Sequence, residues 1–338
     1  MFESIKFQNF KALRDTTLPL SRFTLIVGPN GGGKSTALRA FAGLNKPNEL
    51  ALEEIRSAAA RQNAAVSLHV DWKEKEDKCR VMARWQPGKS AFGPAYDIKH
   101  GGRPDETMLQ GLRVALNGAR FYHLNAAAIA AAVPLHPNME LAETGASLAG
   151  VLDRLRDRQP ERFDALNEQL GRWIPEFDKV LFETPDTGHR SVALRTREGA
   201  HLVRARDLSQ GTLIALALLT MAYLPEPPSL ICLEEPDHGL HPRLLQEVRD
   251  ALYRLTNPED SGEKRAPIQV IATSHNPYFL DLFRDHTDQI VIAEKAGLDV
   301  KFSRLSDRKD LEEILGDAPL SEVWYSGVLG GVPAGTLR

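Results

Sequence analysis

The stretch T-L-I-V-G-P-N-G-G-G-K-S-T, residues 24–36, decides the reading of this 338-residue chain. An apolar run, Leu25 to Val27, enters a loop of four glycines in six residues, and a helical pattern opens at Ser35. Residues Gly28 to Ser35 satisfy G-x-x-x-x-G-K-[ST] with the strand before it and the helix after it that the motif demands. Glycines let successive backbone N–H groups turn inward around phosphate oxygens, and the helix start adds the positive end of its dipole. Gly28, Asn30, Gly31, Gly32, Gly33, Lys34, Ser35 and Thr36 are the expected phosphate-binding residues, with the Lys34 ammonium on the outer phosphates and the Ser35 hydroxyl on Mg²⁺.

A second stretch asks for that metal. In S-L-I-C-L-E-E-P-D-H-G-L-H-P (229–242) a strand-like run, Leu230 to Glu234, ends on a carboxylate, and Glu235 follows at once. Burying one ionised carboxylate costs several kcal/mol or more unless it is partnered. Two in succession disfavour each other's ionisation. A magnesium ion arriving with a nucleotide supplies the missing positive charge. Glu234 is then the metal residue, acting through a water, and Glu235 the base that polarises the attacking water. His238 and His241 form H-x-x-H, but the further ligands a zinc site needs are not nearby. They read better as a loop that meets a neighbouring subunit.

Composition sets the outer bounds. The net charge of −3 gives no global attraction to nucleic acid or anionic lipid. Cys79 and Cys232 lack C-x-x-C spacing, which fits a reduced, cytoplasmic chain. The longest apolar runs, 126–133 and 213–224, are shorter than the ~20 residues a membrane helix requires, and the amino-terminal residues lack a signal-peptide core.

Two further motifs follow in order. D-L-S-Q-G-T (207–212) precedes an apolar helical run, with Ser209 placed as N-cap. Q-V-I-A-T-S-H-N-P (269–277) is a buried strand ending in Ser274–His275. Together the four motifs resemble those of ABC-type P-loop ATPases, on the RecF/SMC/OLD side of that group. The opening I-K-F-Q-N-F-K-A-L, the segment E-E-P-D-H-G-L-H-P, S-H-N-P-Y-F-L and the 320–333 stretch L-S-E-V-W-Y-S-G-V-L-G-G-V-P all resemble that branch rather than transporters.

The resemblance implies an α/β fold of the ABC-ATPase-head type, with a mixed β core, an antiparallel β subdomain and an inserted helical lobe. It implies that Ser209, Gln210 and Gly211 form the signature that touches ATP held by a second subunit. His275 becomes the γ-phosphate sensor, and ATP with Mg²⁺ closes a homodimer. Asn9, Phe10 and Lys11 in the opening strands are adenine candidates. A loop glutamine of the usual kind is not evident; Asn125 in F-Y-H-L-N is the stand-in, rather than Gln62. N-K-P-N at 45–48 sits in the wrong place for a guanine-specific motif, which favours ATP.

Other features of that branch are missing. There are no sustained heptads and no C-x-x-C hook, and E-K-A-G-L-D-V-K-F does not supply an acidic nuclease cluster among the 63 residues after His275. The expectation is an ATP-driven switch acting on a protein effector, nuclease or toxin-like, as in anti-phage systems. The alternatives are a RecF-like DNA-binding ATPase and a non-hydrolysing scaffold.

Along the chain the division expected is 1–104 (first part of the core with an antiparallel hairpin over 65–85), 105–178 (helical lobe) and 179–338 (signature, second acidic strand, switch histidine). Residues 86–104 are rich in Gly and Pro and read as loop. The arginines at 154, 156, 158 and 162, interleaved with Asp153, Asp157 and Glu161, read as solvated helix faces.

Overall fold

The computed structural model describes residues 1–45, 50–74, 77–86 and 106–331. Residues 46–48 of the N-K-P-N segment, 75–76 of the charged turn, 87–104 of the Gly/Pro-rich loop and 332–333 of the closing stretch lie outside the described residues. The chain divides into two units, each assembled from separated segments. The first comprises Met1–Phe121, Pro228–Glu234 and Pro267–Arg338; the second comprises Tyr122–Pro227 and Glu235–Ala266.

In the first unit, alternating sequence gives an antiparallel sheet ordered Leu13–Pro19, Phe2–Phe10, Val66–Glu74, Asp77–Trp85. Ile5 and Phe7 alternate inward, and a register shift between Phe2 and Ser4 brings Phe2 to the same core. There its ring meets Trp72 and Phe41 edge-on, centroids 4.9 and 5.7 Å apart. The second sheet has six strands, ordered Asp299–Arg304, Ile290–Ala296, Phe23–Val27, Gln269–Ser274, Leu230–Glu234, Ala119–Tyr122.

The four strands from Ile290–Ala296 to Leu230–Glu234 run parallel. Every residue of Phe23–Val27 and of Gln269–Ser274 is buried, as strands covered on both faces must be. The polar side chain of Gln269 is satisfied by bonding. Its Oε1 accepts from Phe2 N (2.9 Å), and its Nε2 donates to the carbonyls of Phe2 (2.7 Å) and Ser21 (2.9 Å). One amide thus fastens the two sheets together.

The second unit carries the helices Leu148–Arg158, Pro160–Trp173, Gln210–Tyr223 and Leu244–Thr256, with antiparallel strands Phe177–Glu183, His189–Thr196 and Leu202–Arg204. Thr212 to Tyr223 are buried without interruption, so this helix is the centre of the unit rather than a surface helix. Leu148, Leu152 and Leu155 on one helix and Phe163, Leu166, Leu170 and Trp173 on the next are buried, an apolar stripe on each.

Two expectations change. The helix Glu106–Asn117, assigned from sequence to the lobe, falls in the first unit, where Ser229 Oγ donates to Ala115 O (3.0 Å). The arginine faces are also less solvated than their charge pattern suggests. Asp153 is buried, with Arg156 and Arg190 each 3.0 Å away, and the Arg156 guanidinium lies 4.7 Å from the Phe182 ring centroid. Arg190 comes from a strand distant in sequence, which helical periodicity cannot reveal.

Candidate active site

The sheet register gathers the motif residues. Ile26, Thr273 and Glu234 lie level on adjacent parallel strands, as do Val27 and Ser274 on the next rung. The glycine-rich loop and the Ser274–His275 turn therefore leave the sheet at its carboxyl edge, where ligands of open α/β sheets bind. Glu235 is the residue after Glu234.

The loop needs its glycines. Gly28, Gly31 and Gly33 have φ of 156°, 72° and 76°. A Cβ on Gly28 would stand 2.4 Å from the Ala293 carbonyl oxygen, and one on Gly33 2.7 Å from Leu13 Cδ2. Asn30 and Gly31 are exposed at the loop tip, while Ser35 and Thr36 are half-buried behind it. Lys34 is 5% exposed, and its Nζ donates to the carbonyls of Gly28 (2.9 Å) and Pro29 (3.0 Å), so the ammonium lies over its own loop. Ser35 Oγ donates to Glu234 Oε1, joining residues 199 apart in sequence. A hydroxyl and a carboxylate side by side are the all-oxygen donor set that suits a hard divalent cation. With the cradle and the buried lysine, these residues fit a magnesium nucleotide.

Glu235 has φ of 46°, a conformation non-glycine residues adopt rarely and at some cost. His238 N donates to its carbonyl (3.0 Å), and His238 Nδ1 lies 3.8 Å from its carboxylate. Ser274 Oγ accepts from Asn276 N (2.9 Å), and Asn276 Oδ1 accepts from Tyr278 N and Phe279 N, capping the Pro277–Asp281 helix. His275 is half-buried at the strand exit that these bonds shape.

In the second unit Ser209 is the N-cap of Gln210–Tyr223, its Oγ accepting from Thr212 N at 3.1 Å. Gly211 is required by packing: a Cβ there would approach the Gly239 carbonyl oxygen to 2.7 Å. Gly239, at φ 73°, is covered in turn by the Gln210 side chain. The signature and the D-H-G-L segment therefore interlock. Ser209, Gly211, Thr212, Gly239, His241 and Arg243 line part of a cavity of about 930 Å³ in this unit.

A family model described as "AAA domain, putative AbiEii toxin, Type IV TA system" matches residues 23–281. The chain belongs to this family. Its α/β core, with the glycine-rich loop at the end of a parallel strand, is that of a P-loop ATPase. A 41-residue stretch is 52% identical to the OLD nuclease of Thermus scotoductus, covering 12% of this chain and 8% of that protein. The chain thus spans only a small part of that relative's length. The solved SMC head domain from Thermotoga maritima aligns over 90% of this chain and 98% of its own, with 16% identity and a TM-score of 0.49.

Within this AAA-domain chain the remaining candidates fare unequally. Phe10 is 3% exposed and its ring packs near Phe7, centroids 6.0 Å apart, so it serves the core instead of offering a face to a base. Asn9 Nδ2 donates to Ala65 O (3.0 Å), and Lys11 is exposed. Asn125 caps the Ala126–Ala130 helix by accepting from Ala128 N (2.9 Å). Sequence reasoning missed Gly239 and Arg243. The first had a signal, a glycine directly after the acidic pair's turn; the second had none.

Proposed function

We propose that this AAA-domain protein binds ATP with Mg²⁺ and hydrolyses it. The contact between Ser35 Oγ and Glu234 Oε1 carries the reading, because it unites the phosphate loop with the acidic strand at the place a nucleotide-bound metal would occupy. The loop N–H groups and Lys34 hold the β- and γ-phosphates. Ser35 and Glu234 hold the metal, which when bound neutralises charge on the phosphate oxygens. Glu235 accepts a proton from water as the water oxygen bonds to the γ-phosphorus; the bond to the β–γ bridging oxygen breaks, and ADP and phosphate leave. His275, at the exit of the neighbouring strand, contacts the γ-phosphate and reports its loss.

The signature side supports a dimer in this reading. Ser209, Gln210 and Gly211, of which Ser209 and Gly211 line a cavity of about 930 Å³, receive the nucleotide held by a second copy of the chain. Hydrolysis removes the shared ligand and releases the pair, an order-to-release switch. The head dimer then acts on a protein effector in the cytoplasm, in keeping with a family whose description names a toxin–antitoxin system.

Phosphate release tests the chemistry. Wild type should turn over ATP with Mg²⁺ and stop on chelation. Lys34→Ala should lose nucleotide binding. Glu235→Gln should bind ATP yet turn over about 10²-fold more slowly, the scale expected for loss of a general base. Near-normal turnover by Glu235→Gln would remove Glu235 from its assigned role.

A further inference from the structure

The segment from Arg308 to Gly331 takes no part in the chemistry above, yet it reaches both ends of the first unit's site machinery. At one end it is fixed to the helix Pro277–Asp281, which begins two residues after His275. Asp281 Oδ1 accepts from Ser321 N (2.7 Å) and Oδ2 from Ser321 Oγ (2.6 Å), so one carboxylate holds the start of the helix Leu320–Tyr325. Arg284, three residues beyond Asp281, donates to the carbonyls of Gly316 (2.6 Å) and Ala318. Within the segment, Arg308 binds the Asp310 carboxylate (2.6 and 3.1 Å) and the Val328 carbonyl (2.6 Å).

At the other end the chain passes through Gly330 and Gly331, with φ of 75° and 70°. A Cβ on Gly331 would lie 2.9 Å from Ile292 Cγ2, 3.2 Å from Trp324 Nε1 and 3.4 Å from the Cα of Gly28, the first residue of the phosphate loop. Trp324 and Leu329 are both buried. Gly331 thus sits close against Ile292, which pairs with Val27 at the entry to the loop, and lies beside Gly28, whose own close neighbour is Ala293. The positive φ and the close approach both require glycine at 331.

We propose that residues 308–331 form a strut that fixes the start of the phosphate loop relative to the switch-histidine helix, with Gly331 and Ser321 as positioning residues. The physical basis is contact between elements that cannot deform continuously: packed backbone and a two-bond carboxylate clamp transmit displacement rather than absorb it. The inference rests on the ATPase reading of the site.

The test uses the full chain. Circular dichroism and thermal melting without nucleotide establish which variants fold. ATP affinity is read with a fluorescent ATP analogue, and turnover by phosphate release. Gly331→Ala should raise the nucleotide Kd at least about tenfold, since displacing a binding group by a fraction of an ångström to ~1 Å has effects on that scale. Ser321→Ala should lower kcat several-fold while leaving Kd within about twofold of wild type, and Ser321→Thr, which keeps the hydroxyl, should restore it. Either folded variant behaving as wild type overturns the strut. If Gly331→Ala does not fold, the Ser321→Ala and Ser321→Thr pair decides alone. Failure of wild type to bind the analogue overturns the ATPase reading as well, which separates the two outcomes.

Discussion

Single residues divide into those whose chemistry is readable in sequence and those whose partner has to be found. The sequence singles out Lys34 and Ser35 because the glycine-rich loop is a local motif, with its expected chemistry set by residues a few positions apart. The choice of Glu234 as their partner came from the cost of an unpartnered carboxylate, and its carboxylate does meet the Ser35 hydroxyl. The strained φ of Glu235 and the packing of Gly211 against Gly239 had no sequence signature, since both depend on where another loop lies. Cys232 shows how a strand position sets reactivity. Burial in the centre of the acidic strand pushes its thiol well above the ordinary cysteine range. Cys79 is buried too. Both thiols should therefore resist iodoacetamide at pH 8 in the native protein and react after unfolding, as mass spectrometry would detect; rapid native labelling of Cys232 would contradict its placement.

Between elements, ion pairs prove harder to anticipate than apolar stripes. The stripes follow a 3.6-residue period that a single helix displays, whereas the partners of a buried charge arrive from elsewhere. Glu263 is the clearest case. Its side chain is 9% exposed and is met by Arg254 at 2.5 Å and Arg265 at 2.7 Å, with Arg162 at 3.9 Å. Arg254 also lies over the Tyr223 ring at 4.4 Å, and Arg265 donates to the carbonyls of Arg254 and Leu255. Glu263 thereby ties together the helices Pro160–Trp173, Gln210–Tyr223 and Leu244–Thr256. Burial pushes its carboxyl upward, but the hydrogen bond from Arg265 and the charges of Arg254 and Arg265 outweigh that and hold it below the usual glutamate range. A depressed folded value stabilises the protein above the unfolded one and is lost as pH falls through the folded one. Glu263→Gln should cost about 3 kcal/mol at pH 7, leaving arginines without their counter-charge. Urea melts should show the difference from wild type narrowing below about pH 4. A constant difference across that range would mean the charge is not what matters.

Across the whole molecule, the class of fold was legible and its division was not. The order of the four motifs points to an ABC-type head, and three of the four adjoin adjacent parallel strands. The boundaries at 104/105 and 178/179 do not coincide with the two units, because the chain crosses between them several times: the acidic strand and the switch strand return to the first unit from segments of the second. Continuous ranges cannot describe such a chain. In the proposed dimer, each chain carries a phosphate loop and a signature but completes a site only with a second copy. Sedimentation velocity on Glu235→Gln, with and without Mg-ATP, tests that claim most directly. The protein should sediment as a monomer without nucleotide and as a dimer with Mg-ATP, with Lys34→Ala remaining monomeric in both conditions. A Glu235→Gln protein that is saturated with Mg-ATP and still sediments as a monomer would contradict it.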